Sequence, residues 1–205
     1  MTTTPENDNR TLSVLRIDSS AKGDASTSRK LSDQIVAKLK ADNGDVAVTL
    51  RDVSGGLPTL NEHWVGASYT PKDDRSDDQK SVLALSDALI DEVRAADVLV
   101  IGVPVYNFNI SATLKTWLDH LARPGESFRY TEEGPEGLLP GKRVILAFAS
   151  GGVEAGSEID FVTPYLKFML GFMGMTDVQV VAADRQNLDE TSLDRASAKI
   201  GELAA

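Results

Sequence analysis

The run Val98-Leu99-Val100-Ile101-Gly102-Val103 has no polar side chain. A strand with one wet face alternates apolar and polar residues, whereas a strand apolar throughout is covered on both faces. Helices on either side of a parallel sheet meet that condition, which puts the chain in the α/β class. The run opens directly into Pro104-Val105-Tyr106-Asn107-Phe108-Asn109, so two aromatics and two amides stand where the strand ends.

The same alternation extends along the chain. Strands are expected over 12–17, 46–50, 97–103, 143–149 and 177–183. Helices are expected over 29–40, 79–95, 111–122, from Thr163-Pro164 onward, and over 188–203. Each helix is read from apolar residues sharing one face, such as Leu31, Ile35, Val36 and Leu39, or Leu114, Trp117, Leu118 and Leu121. Thr27 or Ser28, and Ser111, offer hydroxyl caps. Pro164 suits a first helical turn, where its missing N–H costs nothing. Five strand–helix units in this order predict a flavodoxin-like three-layer sandwich around a five-stranded parallel sheet of order 2-1-3-4-5. Two stretches fall outside the pattern. Residues 61–78 are polar, with a short helix expected near Trp64, and are expected at the mouth of the site. Residues 125–141 carry Phe128-Arg129-Tyr130-Thr131 before Glu133-Gly134-Pro135 and read as a hairpin. Residues 161–175 are apolar nearly all round, so one side packs on the sheet and the rest meets a second subunit or borders a pocket.

The 205 residues suit one domain, here 11–205, after a polar stretch 1–10 read as a flexible tail. A net charge of −10 argues against nucleic acid, which selects a basic face. No apolar run approaches the ~20 residues of a membrane span, and no apolar leader precedes the first strand, so a cytoplasmic protein is expected. With no cysteine, thiolate chemistry is excluded; two histidines, His63 and His120, do not suggest a metal centre.

Ligands of such sheets lie beyond the carboxyl ends of the strands, beside the switch point between strands one and three. Three loops there carry chemistry. After strand one comes Ser19-Ser20-Ala21-Lys22-Gly23-Asp24-Ala25-Ser26-Thr27-Ser28, without either common glycine-rich phosphate fingerprint. Its hydroxyls and the free N–H groups of the following helix suit a phosphate, with Arg29 beside them, although serines here also cap helices with no ligand at all. After strand three, Tyr106 and Phe108 either cover a flat ring or turn inward onto the core. After strand four, Ala149-Ser150-Gly151-Gly152 lets backbone approach a ligand closely. Together the loops point to a mononucleotide with a flat ring. No nucleophile–base pair stands out: Asp119 and His120 are neighbours on one helix and point apart. No catalytic side chain is therefore assigned, as befits chemistry carried by a cofactor.

The chain resembles the bacterial FMN-dependent NADH-azoreductases, also described as NADH:quinone oxidoreductases. The resemblance rests on Pro104-Val105-Tyr106-Asn107-Phe108-Asn109-Ile110-Ser111 with Leu114-Lys115, on the stretch from Phe128 to Leu138, on Gly151-Gly152 and on Val162-Thr163-Pro164-Tyr165-Leu166. It implies a homodimer with non-covalent FMN, NADH or NADPH as co-substrate, and ping-pong transfer of two electrons to quinones and aromatic azo compounds. It also implies that Ser20, Ser26, Thr27 and Ser28 hold the phosphate, and that Val105, Tyr106, Asn107 and Phe108, with Ala149, Ser150, Gly151 and Gly152, surround the flavin. Val105 stands where Met is expected, and Ala149-Ser150 where a Ser-Arg pair is usual in some members. A flavodoxin-like electron carrier and an NAD(P)H-dependent FMN reductase are the competing readings.

Overall fold

The structure, a computed structural model, describes residues 10–204; the tail expected over 1–10 lies, apart from Arg10, outside the described residues. The elements run β1 (Leu12–Asp18), α1 (Thr27–Asn43), β2 (Val46–Asp52), α2 (Glu62–Tyr69), α3 (Asp77–Ala95), β3 (Val98–Pro104), α4 (Ala112–Leu121), β4 (Phe128–Thr131), β5 (Gly134–Gly137), β6 (Arg143–Ala149), α5 (Val162–Phe172), β7 (Asp177–Ala183) and α6 (Ser192–Gly201).

Five strands form one parallel sheet of order β2-β1-β3-β6-β7. This is the expected order, renumbered because β4 and β5 pair with each other in a separate hairpin. β3 sits at the centre and is buried at every position, as its uniform apolarity requires. Successive strand side chains point to opposite faces. Leu15, Ile17, Leu99, Ile101, Val144 and Leu146 therefore pack on one side with Leu89, Trp117, Leu118 and Leu166 of α3, α4 and α5. Val14, Val100, Ile145, Ala147 and Val181 pack on the other with Leu31, Ile35, Leu39 and Ile200 of α1 and α6. Each large apolar side chain buried this way contributes about 1.5–3 kcal/mol. β2 is an edge strand, and its Val48 and Leu50 remain exposed.

The hairpin is seated on the end of α5. A Cβ built on Gly137 would lie 2.0 Å from the Gly174 nitrogen, and Gly174 itself has φ 99°. Only two glycines allow the backbones to meet so closely.

Residues 61–78 pack beside the carboxyl end of α4. Trp64 meets the His120 ring edge-on at 5.6 Å, the His120 Nε2 lies 2.8 Å from the Pro58 carbonyl, and Arg75 approaches Glu126 at 4.0 Å. These contacts are at the carboxyl end of α4, about 13 Å along the helix from its Ser111 cap. An apolar Trp and a buried imidazole found each other there, and nothing in the local pattern of 61–78 encodes that pairing.

Candidate functional site

The carboxyl edge of the sheet brings four strand ends together. β1 passes into a loop held by an ion-pair cluster: Asp18, buried, accepts from Arg29 at 3.1 Å and pairs with Arg16 at 2.9 Å. Arg29 also reaches Asp52 at 2.8 Å and the Ser20 carbonyl at 3.4 Å. Burial pushes the Asp52 carboxyl up, but hydrogen bonds from Ser54 and Arg29 outweigh it and hold the group below its ordinary value. Arg29 is thus spent on fixing the loop, not turned to a ligand.

Ser26, rather than Thr27 or Ser28, caps α1: its Oγ accepts from the Arg29 N–H at 3.3 Å and lies 3.0 Å from the Ser28 Oγ. Both serines are buried. The Thr27 and Ser28 N–H groups have no partner among the described residues, as expected of a first helical turn. The Thr27 hydroxyl donates sideways to Gln186 Oε1 at 2.8 Å.

β3 ends in a tight turn closed by Tyr106 and Asn109, each N–H donating to the other's carbonyl at 2.9 and 3.0 Å. Its two central residues, Asn107 and Phe108, have φ of 50° and 66°. Asparagine tolerates this conformation, whereas a bulky phenylalanine there holds strain of about 1–3 kcal/mol, of the kind concentrated at functional sites. Phe108 is also half exposed, so its ring is not compensated by the core. The Tyr106 hydroxyl crosses to the β1 loop, 3.2 Å from Ser20 Oγ and 3.1 Å from the Ala21 nitrogen.

β6 ends at Ala149. The buried Ser150 uses its hydroxyl within its own turn, accepting from Gly152 and Val153 at 3.3 and 2.8 Å. A Cβ on Gly152 would meet nothing within 4 Å, whereas one on Gly151 would lie 2.7 Å from Asn187 Nδ2. The N–H groups of Asn107 and Gly151 have no partner among the described residues.

Two cavities follow. A small one of about 60 Å³ is lined by Ser20, Lys22, Ser26, Thr27, Ser28, Pro104, Val105, Tyr106, Ala149 and Gln186. At about 10–15 Å³ of such space per water, it has room for a few water-sized groups, the scale of a small anion. Tyr106 separates it from a larger cavity of about 580 Å³, walled by Asn107, Asn109, Ile110, Ser111, Ala112, Lys115 and Tyr165, within the range of small-molecule sites. Burial pushes the Tyr165 hydroxyl up from its ordinary value; Lys115 opposes this and Asp119 adds to it. The small cavity, with buried hydroxyls, free helix N–H groups and the Lys22 side chain, fits an anionic phosphate head despite the chain's net negative charge. FMN carries such a head on a flat ring, and the residues present fit it.

Of the expected residues, Ser20, Ser26, Thr27, Ser28, Val105, Tyr106 and Ala149 line the small cavity together. Asn107 borders the larger one, and Phe108, Ser150, Gly151 and Gly152 stand on the adjoining turns. Gln186 and Asn187, in the loop after β7, escape sequence reading. Their one signal is that this loop, too, leaves a carboxyl strand end. His120 is a buried packing residue, and His63 pairs at the surface with Asp78 at 2.8 Å.

A family model described as flavodoxin-like fold (Flavodoxin_2) matches residues 13–204. The FMN-dependent NADH:quinone oxidoreductase 1 of a Jannaschia species is 52% identical over 193 residues, covering 94% of this chain and 98% of that protein. The protein of the same name from Hahella chejuensis is 50% identical over 180 residues, 88% of each. Among solved structures, an FMN-dependent NADH-azoreductase from Bacillus anthracis in complex with FMN superposes with a TM-score of 0.82 at 26% identity, over 93% of this chain and 96% of that one.

Proposed function

Because this chain belongs to the FMN-dependent NADH:quinone oxidoreductases, within the family of flavodoxin-like fold, we propose that it uses FMN to pass two electrons from NADH, in ping-pong order, to quinones and aromatic azo compounds. The observation that carries this reading is the meeting of the β1, β3 and β6 loops around one anion-sized cavity that opens beside a larger apolar one. FMN, when bound, would supply the two-electron redox chemistry between nicotinamide and acceptor.

The chain's own part is to bind, orient and shield. The Thr27 and Ser28 N–H groups, with Ser20, Ser26 and Ser28 hydroxyls, hold the phosphate. Val105, Tyr106, Asn107 and Phe108 on one loop, with Ala149, Ser150, Gly151 and Gly152 on another, would surround the ring. The unpartnered N–H groups of Asn107 and Gly151 are fixed dipoles suited to developing negative charge. A second copy of the chain completes the assembly. Tyr130, Phe161 and Phe168 are mostly exposed, and the Phe168 ring stacks on Phe172, itself 4.5 Å from Phe128. Exposed aromatics grouped on α5 and the hairpin seated on it support this face as the one a second copy would cover.

The test is optical. The purified protein, saturated with FMN, is expected to lose its yellow absorbance on adding NADH without oxygen and to regain it on adding a quinone. Retained colour after NADH would point to a carrier, and failure to hold flavin at all would overturn the reading.

A further inference from the structure

The loop after β7 reaches the site from the sheet's far edge. Gln186 uses every polar atom of its side chain there. Its Oε1 accepts from the Thr27 hydroxyl at 2.8 Å, and its Nε2 donates to the Ser150 and Ala183 carbonyls at 3.3 and 3.1 Å. Its backbone N–H also donates to Ser150, at 3.0 Å, and the Asn187 N–H donates to the Gly151 carbonyl at 2.9 Å. The preceding Arg185 is held at φ 54°, a conformation a side-chain-bearing residue keeps only where its surroundings impose it. Gln186 also lines the small cavity beside Ser20, Ser26, Thr27 and Ser28.

We propose that Gln186 is a positioning residue of the phosphate cradle: its amide ties Thr27, at the start of α1, to Ser150 on the loop after β6, and so sets the spacing of the two segments that grip the cofactor's two ends. This rests on the reading of FMN as cofactor. The tie has a direction. The Thr27 hydroxyl hydrogen is committed to Gln186, so Thr27 offers the phosphate its N–H and not its side chain. The amide accepts at one end and donates at the other, which neither a carboxylate nor a thioether can reproduce. A carboxylate in its place faces two carbonyl oxygens and a phosphate, all negative.

The experiment is titration of the full-length chain, freed of flavin, with FMN and separately with riboflavin, followed by quenching of flavin fluorescence. Gln186→Glu keeps the shape, Gln186→Met removes all three side-chain hydrogen bonds, and Thr27→Val removes one of the partners. FMN affinity is expected to fall about tenfold in Gln186→Met and further in Gln186→Glu, while riboflavin affinity changes less than about twofold. Gln186→Met combined with Thr27→Val is expected to cost less than the sum of the two. Unchanged FMN affinity in both Gln186 variants, equal weakening of FMN and riboflavin, or additive losses would each overturn the proposal. A wild-type chain that binds FMN no better than riboflavin would overturn the cofactor reading itself.

Discussion

The Tyr106 hydroxyl lies 3.2 Å from the Ser20 Oγ, so one aromatic side chain links the loop after β3 to the loop after β1. It also accepts from the Ala21 N–H at 3.1 Å. Tyr106→Phe keeps the ring and deletes both hydrogen bonds. The expected loss is about 1 kcal/mol of stability, with flavin retained but weakened. Tyr106→Ala is expected to lose much more flavin. Thermal melting with and without FMN measures both, and equal flavin retention in the alanine variant would reduce Tyr106 to a packing role.

Gly152 has open space where a side chain would go. Gly152→Val is therefore expected to melt within about 0.5 kcal/mol of the parent, as surface substitutions do. Its flavin content and quinone turnover are nonetheless expected to fall, because that space is where the ring would be crowded. Full flavin content at unchanged turnover would move the ring away from this loop.

Asp160 precedes α5 and accepts from the N–H groups of Gly156, Val162 and Thr163 at 2.8, 3.0 and 2.9 Å. Burial pushes its carboxyl up, but these hydrogen bonds outweigh burial and hold its pKa below the ordinary 3.8. A depressed folded value means that its contribution is complete above the ordinary value and is lost as pH falls toward the folded one. Asp160→Asn is expected to cost about 1–2 kcal/mol at neutral pH. The gap between parent and variant should narrow by about pH 3. Urea unfolding at both pH values checks this, and a constant gap would contradict it.

Phe168 is 69% exposed on α5. Phe168→Glu is expected to leave each chain folded and to shift the proposed homodimer to monomers on size exclusion. A dimeric elution volume unchanged by the substitution would move the proposed interface to another face, and a monomeric parent would overturn the dimer.

Much of the fold was legible because the sheet is doubly covered. β6 and β7 fall on the expected 143–149 and 177–183, since a short segment rich in β-branched residues and bounded by turn residues is too short for a helix. The edge strand was less so: Val46, Val48 and Leu50 alternate as if to bury a face, yet place in the sheet, which no local pattern carries, leaves two of them exposed. Among three adjacent hydroxyls, Ser26 became the cap because it keeps extended backbone at ψ 124°. Gln186 was invisible because its partners, Thr27 and Ser150, are distant in sequence and meet it only through the closed sheet.

The contact of Gly137 with Gly174 makes the β4–β5 hairpin and the foot of α5 a single steric unit. Tyr130, near the outer end of that hairpin and 74% exposed, is therefore carried on a rigid bracket rather than a swinging flap. A methyl group at Gly137 would force the two backbones apart, so the seating of the arm that carries the tyrosine depends on their fit at the bracket's other end.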